Sequence, residues 1–324
     1  IWIGTNQVDA GTMQIGDMMA FLQYATEILM SFMIIAMIFI MIPRSSVSAK
    51  RIFEVLETEP TIHDPVEPKH LPKENAPITF DHVSFKYANA EENVLEDIHF
   101  TANPEDTVAF IGSTGSGKTT LVNLLPRFFD VTEGSIRFGD IDIRDVSQKE
   151  LRDRISYIPQ KGILFSGTIA SNLRYADENL SDEKMEEALT ISQAKEFVDR
   201  MLNGVNEPIA QGGTNVSGGQ KQRLSIARAL AKDAQVYIFD DTFSALDYAT
   251  DAKLRTALAG LIAKKHATVF IVAQRISSIM HADKIVVLDQ GKMAGIGTHE
   301  ELLKNCEVYQ EIAHSQLSRE ELGE

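Results

Sequence analysis

Cysteine is nearly absent from this sequence, because Cys306 is the single one among 324 residues. One thiol excludes a disulfide framework and a zinc site built from clustered thiolates, and it suits a reducing compartment. Basic residues are also scarce: 31 lysines and arginines face 46 acidic residues, which gives a net charge of −15. This balance argues against nucleic acid as the main partner, since binding to phosphates needs a basic face. No signal-peptide n-region, cleavage site or internal repeat is visible.

Charge is almost missing from one long apolar stretch near the beginning of the chain. Residues 18–42 form a span of about 25 residues, long enough to cross a bilayer, and Glu27 is its one charged residue. Arg44, Lys50 and Arg51 follow, so the positive-inside tendency predicts that the C-terminal end of this helix is cytoplasmic. Two interpretations of Glu27 stay open: it faces a cavity or partner helix, or it snorkels to the outer interface.

The helical pattern continues past Pro43, and five prolines between residues 59 and 77 predict an extended linker. The first residue is Ile1 and the opening is apolar, so we expect the sequence to be the C-terminal part of a longer protein. The predicted segments are the end of a transmembrane domain (1–57, last helix about 17–56), a linker (58–77), a globular domain (78–315) and a tail (316–324).

Beyond the linker, alternating and continuous apolar runs predict strands, and 3.6-residue periodicity predicts helices. The predicted strands are 78–80, 83–87, 94–100 and 107–111, followed by three runs typical of buried parallel strands at 236–239, 269–272 and 285–288. The predicted helices are 119–129, 148–154, 181–188, 193–201 and 219–231. Ser147 with Glu150, and Thr298 with Glu301, are spaced as capping boxes.

A glycine-rich motif of the form G-x-x-x-x-G-K-T lies between a predicted strand and a predicted helix. Glycines let the backbone wrap a phosphate, and the helix N-terminus adds partial positive charge. Lys118 is expected to reach the β- and γ-phosphates and Thr119 to bind Mg²⁺. The motif therefore predicts that the chain binds a nucleoside triphosphate.

Two later segments complete the prediction of a nucleotide site. Strand 236–239 ends in Asp240, where a second Mg²⁺-binding group belongs at the carboxyl end of a sheet. Ser217, Gly218 and Gly219 form a turn at a helix N-terminus, which is a second anion site. Two phosphate-binding motifs on one chain suggest a site made by two subunits.

The order of these motifs resembles that of an ABC transporter ATPase. The glycine-rich motif is followed by Gln160, Val216-Ser217-Gly218-Gly219-Gln220, Asp240 and Ser244-Ala245-Leu246-Asp247. With the preceding membrane helix and the segments 164–169 and 297–302, the chain is similar to bacterial ABC exporters that carry membrane and ATPase domains together. The resemblance implies an α/β fold with a P-loop ABC ATPase domain: a parallel-sheet core, an antiparallel β subdomain and a helical subdomain at about 162–231.

The resemblance also implies ATP and Mg²⁺ as cofactors and a role for each matching residue. Tyr87 would stack on adenine, Gln160 would touch Mg²⁺ and couple to the membrane domain, and Asp247 would lie at the dimer interface. The implied ATP-binding residues are Tyr87, Gly112, Ser113, Thr114, Gly115, Ser116, Gly117, Lys118, Thr119, Thr120 and Gln160. The implied metal ligands are Thr119, Gln160 and Asp240, and Val216 to Gln220 would contact ATP bound to the partner subunit.

Three residues depart from the pattern of an active family member. Asp241 stands where Glu is usual, Gln274 replaces the usual His, and Gln211 replaces a common Glu. Asp is one methylene shorter than Glu, and an amide does not carry a proton as imidazole does. With Lys118, the first two are the predicted catalytic residues. The pattern resembles the degenerate-site half of a heterodimeric exporter, in which the intact signature completes the partner's site.

Two alternatives stay open beside this hypothesis: a homodimeric exporter that uses Asp241 as its base, and a regulatory nucleotide-binding subunit. The expected partners are a second half-transporter, the lipid bilayer and an unidentified exported substrate, at the cytoplasmic membrane. Four methionines in the apolar span are compatible with a lipophilic substrate, but we favour packing or lipid contact for them: Met30, Met33, Met37 and Met41.

Overall fold

The computed structural model describes residues 1–88 and 90–317, without the side chain of Ala245, and the chain divides into two compact units after His63. The first unit contains helices α1 (Trp2–Asp9) and α2 (Ile15–Leu56). Helix α2 continues through Pro43, and its most apolar 18-residue window has a mean hydropathy of 2.4 with none of it buried. Within the described residues, it is the one helix long and apolar enough to span a membrane.

The second unit begins at Asp64 and mixes two main sheets with helices. Its strands are β1 (Ile78–Phe85), β2 (Leu95–Ala102), β3 (Thr107–Gly112), β4 (Glu133–Phe138), β5 (Ile141–Asp142), β6 (Ile155–Ile158), β7 (Gly167–Thr168), β8 (Pro208–Ile209), β9 (Val236–Asp240), β10 (Thr268–Val272), β11 (Lys284–Asp289) and β12 (Lys292–Gly297). Its helices are α3 (Lys118–Leu124), α4 (Gln148–Arg154), α5 (Ile169–Arg174), α6 (Asp182–Ile191), α7 (Lys195–Val198), α8 (Gly218–Ala231), α9 (Tyr248–Lys265), α10 (His299–Asn305) and α11 (Glu307–Gln316).

The central sheet has the strand order β12-β11-β3-β10-β9-β6, and its strands are parallel except for β12. Successive residues of each parallel strand enter two different cores, because side chains alternate across a sheet. In β3, for example, Ala109 and Ile111 belong to one core, whereas Val108 and Phe110 belong to the other. Both faces are therefore covered, which explains the continuous apolar runs in the sequence.

Two further layers cover this sheet. An antiparallel sheet, β2-β1-β4-β5, shares one core with helix α3. Helices α5, α6, α8 and α9 supply the other core, together with the small β7-β8 pair nearby. The predicted class is confirmed: a parallel-sheet core, an antiparallel β region, a helical region and one apolar N-terminal helix.

Several predicted boundaries are wrong. The helix predicted at 119–129 is α3, which ends at Leu124, because Pro126 has no N–H for the helical ladder. The helix predicted at 193–201 shrinks to the single turn α7, since Gln193 has a φ of 59° in the left-handed region. The separate strands predicted at 78–80 and 83–87 are one strand, β1, with an irregular register between Phe80 and Val83.

One predicted capping box is half formed. Ser147 accepts a hydrogen bond from the Glu150 N–H at 3.3 Å, but the Glu150 carboxylate accepts the Leu71 N–H at 2.8 Å instead of returning to Ser147. Tertiary contact with the preceding segment therefore replaces the local bond. The box of Thr298 and Glu301 is confirmed in both directions.

The sequence did not predict several elements, among them strands β4, β6 and β12 and helices α5, α9 and α11. Strand β6 follows helix α4 directly, so no turn residue announced it. Helix α9 did carry a signal, because its buried leucines Leu254, Leu258 and Leu261 recur at helical spacing and Asp247 caps its first turn.

Candidate functional site

Four predicted site segments meet at the carboxyl edge of neighbouring parallel strands. The glycine-rich loop follows β3, Gln274 follows β10, Asp240 ends β9 and Gln160 follows β6. Because β3, β10, β9 and β6 are adjacent in this order, segments far apart in sequence come together. This edge is where ligands bind in open α/β sheets.

The glycine-rich loop wraps the ammonium group of Lys118. Its Nζ donates to the carbonyl oxygens of Gly112 and Ser113 at 2.8 and 2.7 Å and to Ser116 Oγ at 3.3 Å. Close packing requires glycine at two positions. A Cβ at Gly112 would lie 2.0 Å from the Leu288 carbonyl oxygen, and Gly117 has a φ of 97°.

The glycine-rich loop and the end of β9 bring charges of opposite sign into the site. Burial lowers the pKa of Lys118, while the nearby carboxylates of Asp241 and Asp240 act to raise it. Burial also raises the pKa of Asp240, and the neighbouring Asp241 adds to that shift, against hydrogen bonds from Thr119 and Tyr157 and the charge of Lys118. A lysine and two carboxylates are thus held at one partly desolvated edge.

Asp240 is oriented by two hydroxyl groups. Thr119 Oγ1 donates to Asp240 Oδ1 at 2.8 Å, and the Tyr157 hydroxyl donates to Oδ2 at 3.0 Å. The site residue Tyr157 was missed by the sequence analysis, since its strand β6 was not predicted. Thr119 and Asp240, two of the predicted metal ligands, therefore lie together. They offer what a divalent cation site needs, namely hard oxygen ligands near a buried negative charge.

Asp241 accepts hydrogen bonds from two side-chain amides. Gln160 Nε2 and Gln274 Nε2 both donate to the same oxygen, Asp241 Oδ2, at 2.8 and 2.6 Å. Its backbone is left-handed, with a φ of 46°, and the residue is 6% exposed. Asp241 and Gln274, two of the three residues that depart from the resemblance, are therefore hydrogen-bonded to each other, and Asp241 also binds Gln160.

The signature segment has a different character. Ser217 caps helix α8 in a reciprocal box, since its N–H donates to Gln220 Oε1 at 3.0 Å and its Oγ accepts from the Gln220 N–H at 3.3 Å. A Cβ built on Gly218 or Gly219 would meet nothing within 4 Å. Among residues 1–88 and 90–317, no hydrogen bond joins this segment to the glycine-rich loop.

The segment after Asp241 leads into helix α9. Ser244 Oγ donates to the Asp241 carbonyl oxygen at 2.8 Å, the backbone of Ala245 ends a 3₁₀ turn, and Leu246 is buried. Asp247 caps α9, accepting from the Thr250 N–H at 3.0 Å and the Thr250 hydroxyl at 2.7 Å. The backbone N–H bond is the largest cause that lowers the pKa of Asp247.

Tyr87 stands beside the start of helix α3. Its hydroxyl lies 3.1 Å from Thr120 Oγ1, and the rings of Phe85 and Phe129 contact it edge-on at 4.8 and 5.3 Å between centroids. The residue is 36% exposed. An aromatic ring that neighbouring rings hold in place and that is partly open to solvent suits stacking on a planar base.

Comparisons with known proteins agree with this architecture. Residues 95–244 match the family described as ABC transporter. The chain is similar to a solved structure, "Structure of a bacterial Atm1-family ABC exporter with ATP bound", with a TM-score of 0.80 and 30% identity over 95% of this chain and 53% of that one. The mixed sheets and helices of this chain thus form an ABC ATPase fold.

Two similar proteins match nearly the whole chain. An uncharacterized ABC transporter ATP-binding protein of Mycobacterium tuberculosis is 44% identical over 98% of this chain and 54% of its own length. An ATP-dependent lipid A-core flippase of Desulfotalea psychrophila is 37% identical over 98% of this chain and 54% of its own length. The chain thus spans about half the length of the relatives it matches.

Proposed function

We propose that this chain is the ATP-hydrolysing part of an ABC exporter half-transporter in the cytoplasmic membrane. The ABC ATPase fold, the apolar helix α2 and the similarity to proteins named as an exporter and a flippase support this proposal. Closure of two such ATP-binding domains would move the membrane helices, and hydrolysis would reset them.

The nucleotide site fits an ATP–Mg²⁺ complex. Lys118 would leave the carbonyl oxygens of Gly112 and Ser113 for the phosphates, and Tyr87 would stack on the base. Asp240 and Thr119, with Gln160, would hold Mg²⁺, because they offer oxygen ligands beside a buried carboxylate. When bound, Mg²⁺ supplies positive charge to the phosphate oxygens.

The two hydrogen bonds to Asp241 support a finer proposal, that the nucleotide site of this chain hydrolyses ATP slowly. Both amides donate to Asp241 Oδ2, so they restrain the carboxylate without being able to take up a proton from water. The side chain of Asp is also one methylene shorter than that of Glu, and a misplacement of about 1 Å can cost about a hundredfold in rate. Gln274 therefore orients Asp241 but does not relay a proton.

The open signature segment supports the complementary role in a heterodimer. Gly218 and Gly219 face free space, so the phosphates of ATP bound to a partner can approach the first turn of α8. We propose that this segment completes the competent site on the partner, which should carry Glu and His at the positions of Asp241 and Gln274.

ATPase measurements on the complete protein test this assignment. The protein is purified alone and with its neighbouring half-transporter, and each preparation is compared with the isosteric Asp241→Asn variant. We expect activity only with the partner, changed less than about twofold by Asp241→Asn. Strong activity alone, abolished by Asp241→Asn, would instead establish a homodimer with Asp241 as base. ATP binding without turnover in either preparation would support the regulatory subunit.

A further inference from the structure

Gln316, the last residue of helix α11, holds the segment that carries Gln274. Its Nε2 donates to the Gln274 carbonyl oxygen at 2.8 Å, and its Oε1 accepts the Ile276 N–H at 2.9 Å. One amide thus pairs with the two backbone groups on either side of Arg275, as a neighbouring strand would. The contact joins residues 42 positions apart in sequence.

The helix that presents Gln316 is firmly anchored. Tyr309 and Ala313 of α11 are fully buried, and the Tyr309 hydroxyl lies 2.7 Å from His299 Nδ1. Ile276, on the other side of the contact, is also fully buried. Because both ends are fixed, the two hydrogen bonds set the path of the backbone where it leaves strand β10.

A continuous chain of hydrogen bonds leads from this contact to the chemistry. Gln316 binds the backbone of Gln274, the side chain of Gln274 donates to Asp241 Oδ2 at 2.6 Å, and Gln160 shares that oxygen. A displacement of about 1 Å at Gln274 would break the 2.6 Å bond.

We propose that Gln316 is a positioning residue for the nucleotide site, which fixes the side chain at position 274 against residue 241. The proposal rests on the proposed ATPase function for its catalytic consequence but not for its structural one. Within residues 1–88 and 90–317, the side-chain hydrogen bonds of Gln316 reach Gln274 and Ile276 and not the glycine-rich loop or Tyr87, so Gln316 should influence turnover rather than affinity for ATP.

The matched control lies on the same helix. Gln310 Nε2 donates to the Leu303 carbonyl oxygen at 2.8 Å, away from the Gln274 segment. Gln310→Ala therefore removes the same kind of bond from α11 and reports any general loosening of the helix.

Hydrogen–deuterium exchange of the complete protein tests the contact itself. Gln316→Ala should speed exchange of the Ile276 amide in segment 273–279 at least tenfold, because its acceptor is lost. Gln316→Glu should keep that amide protected, since a carboxylate still accepts, and Gln310→Ala should change nothing there. Unchanged exchange in Gln316→Ala would overturn the proposal, as would equal acceleration in Gln310→Ala.

Steady-state kinetics test the consequence in the Asp241→Glu, Gln274→His background, where the proposed function expects an active site. Gln316→Ala and Gln316→Glu should both lower kcat about tenfold with KM for ATP unchanged, because both lose the donor to the residue 274 carbonyl. A fall shared by Gln310→Ala, or a change confined to KM, would refute the positioning role. An inactive background with the exchange result intact would instead contradict the degenerate-site assignment alone.

Discussion

The glycine-rich loop and the signature segment are both glycine-containing helix starts, but their glycines meet different surroundings. A Cβ on Gly112 or Gly117 would collide with Leu288 or Leu95 of this chain, at 2.0 and 2.7 Å. A Cβ on Gly218 or Gly219 would touch nothing within 4 Å. The chain's own fold demands the first pair, whereas only something outside the described residues can demand the second.

The polar side chains of the two segments also differ in where their hydrogen-bond partners lie. Lys118 and Thr119 bind groups inside the domain, including the buried carboxylate of Asp240. Ser217 is exposed, and in the part of the chain that the structure describes its hydrogen bonds stay within the first turn of α8, to Gln220 and Lys221. This difference agrees with the proposal that the first segment forms a nucleotide site within one chain, whereas the second completes a site on a partner.

The largest effect is expected at the prepared site. Lys118→Ala should weaken binding of a fluorescent ATP analogue with Mg²⁺ about a hundredfold, because two charge-assisted hydrogen bonds to phosphate are lost. Lys253→Ala, an exposed lysine on α9, is the matched control and should bind normally. Equal affinities for the two variants would remove the glycine-rich loop from the nucleotide site.

Alanine substitutions at the two kinds of glycine test the comparison directly. Gly117→Ala should lower the free energy of unfolding by about 1–3 kcal/mol, because of its positive φ and the close Leu95 side chain. Gly219→Ala should leave it equal or higher, since alanine favours a helix, but lower ATPase activity of the assembled transporter about tenfold. Chemical denaturation and ATPase assays measure both, and a destabilised Gly219→Ala with normal activity would contradict the comparison.

Restoring the usual catalytic pair would sharpen the comparison in a third way. The double variant Asp241→Glu, Gln274→His should raise hydrolysis at this chain's own site about tenfold, because it regains a longer carboxylate and a group that carries protons. The assay pairs this chain with a partner whose own catalytic Glu is replaced by Gln. No gain over the unmodified chain in that pairing would argue that other residues make the site slow.

The smallest expected effect concerns the pH dependence of stability. Burial raises the pKa of Asp240, so its folded form binds a proton more readily than the unfolded chain, and stability falls as pH rises through that pKa. Asp240→Asn should therefore raise Tm of the nucleotide-free protein at pH 7 and flatten its decline above pH 4.

Asp233 supplies the control of opposite sign. A hydrogen bond from Lys265 lowers the pKa of Asp233, so its contribution is present at neutral pH and is lost as pH falls through the lowered pKa. Asp233→Asn should lower Tm slightly at pH 7. Thermal unfolding scans between pH 4 and 7 measure both, and shifts of the same sign would contradict the electrostatic account.

Motifs were predictable from the sequence wherever chemistry depends on adjacent residues. Three such motifs each lie within one short segment: the spacing from Gly112 to Thr119, the cap at Ser217 and the apolar strand before Asp240. Each motif depends on interactions between residues that are near one another in sequence. Boundaries were less predictable, because Pro126 ended one predicted helix early and the left-handed Gln193 delayed the start of another. The hydrogen bond between Glu150 and Leu71 could not be predicted from the sequence, because the two residues lie far apart in the chain.

The amino-acid sequence by itself determined the fold class, the glycine-rich loop and the substitutions at residues 241 and 274, since local residue order carries all of these. Only the tertiary structure decided that Gln160 and Gln274 hold the same oxygen of Asp241 and that Gln316 holds Gln274. The physical reason is the strand order β3-β10-β9-β6, which brings four distant strand ends to one edge. Hydrogen bonds across that edge depend on this order and leave no periodic trace in the sequence.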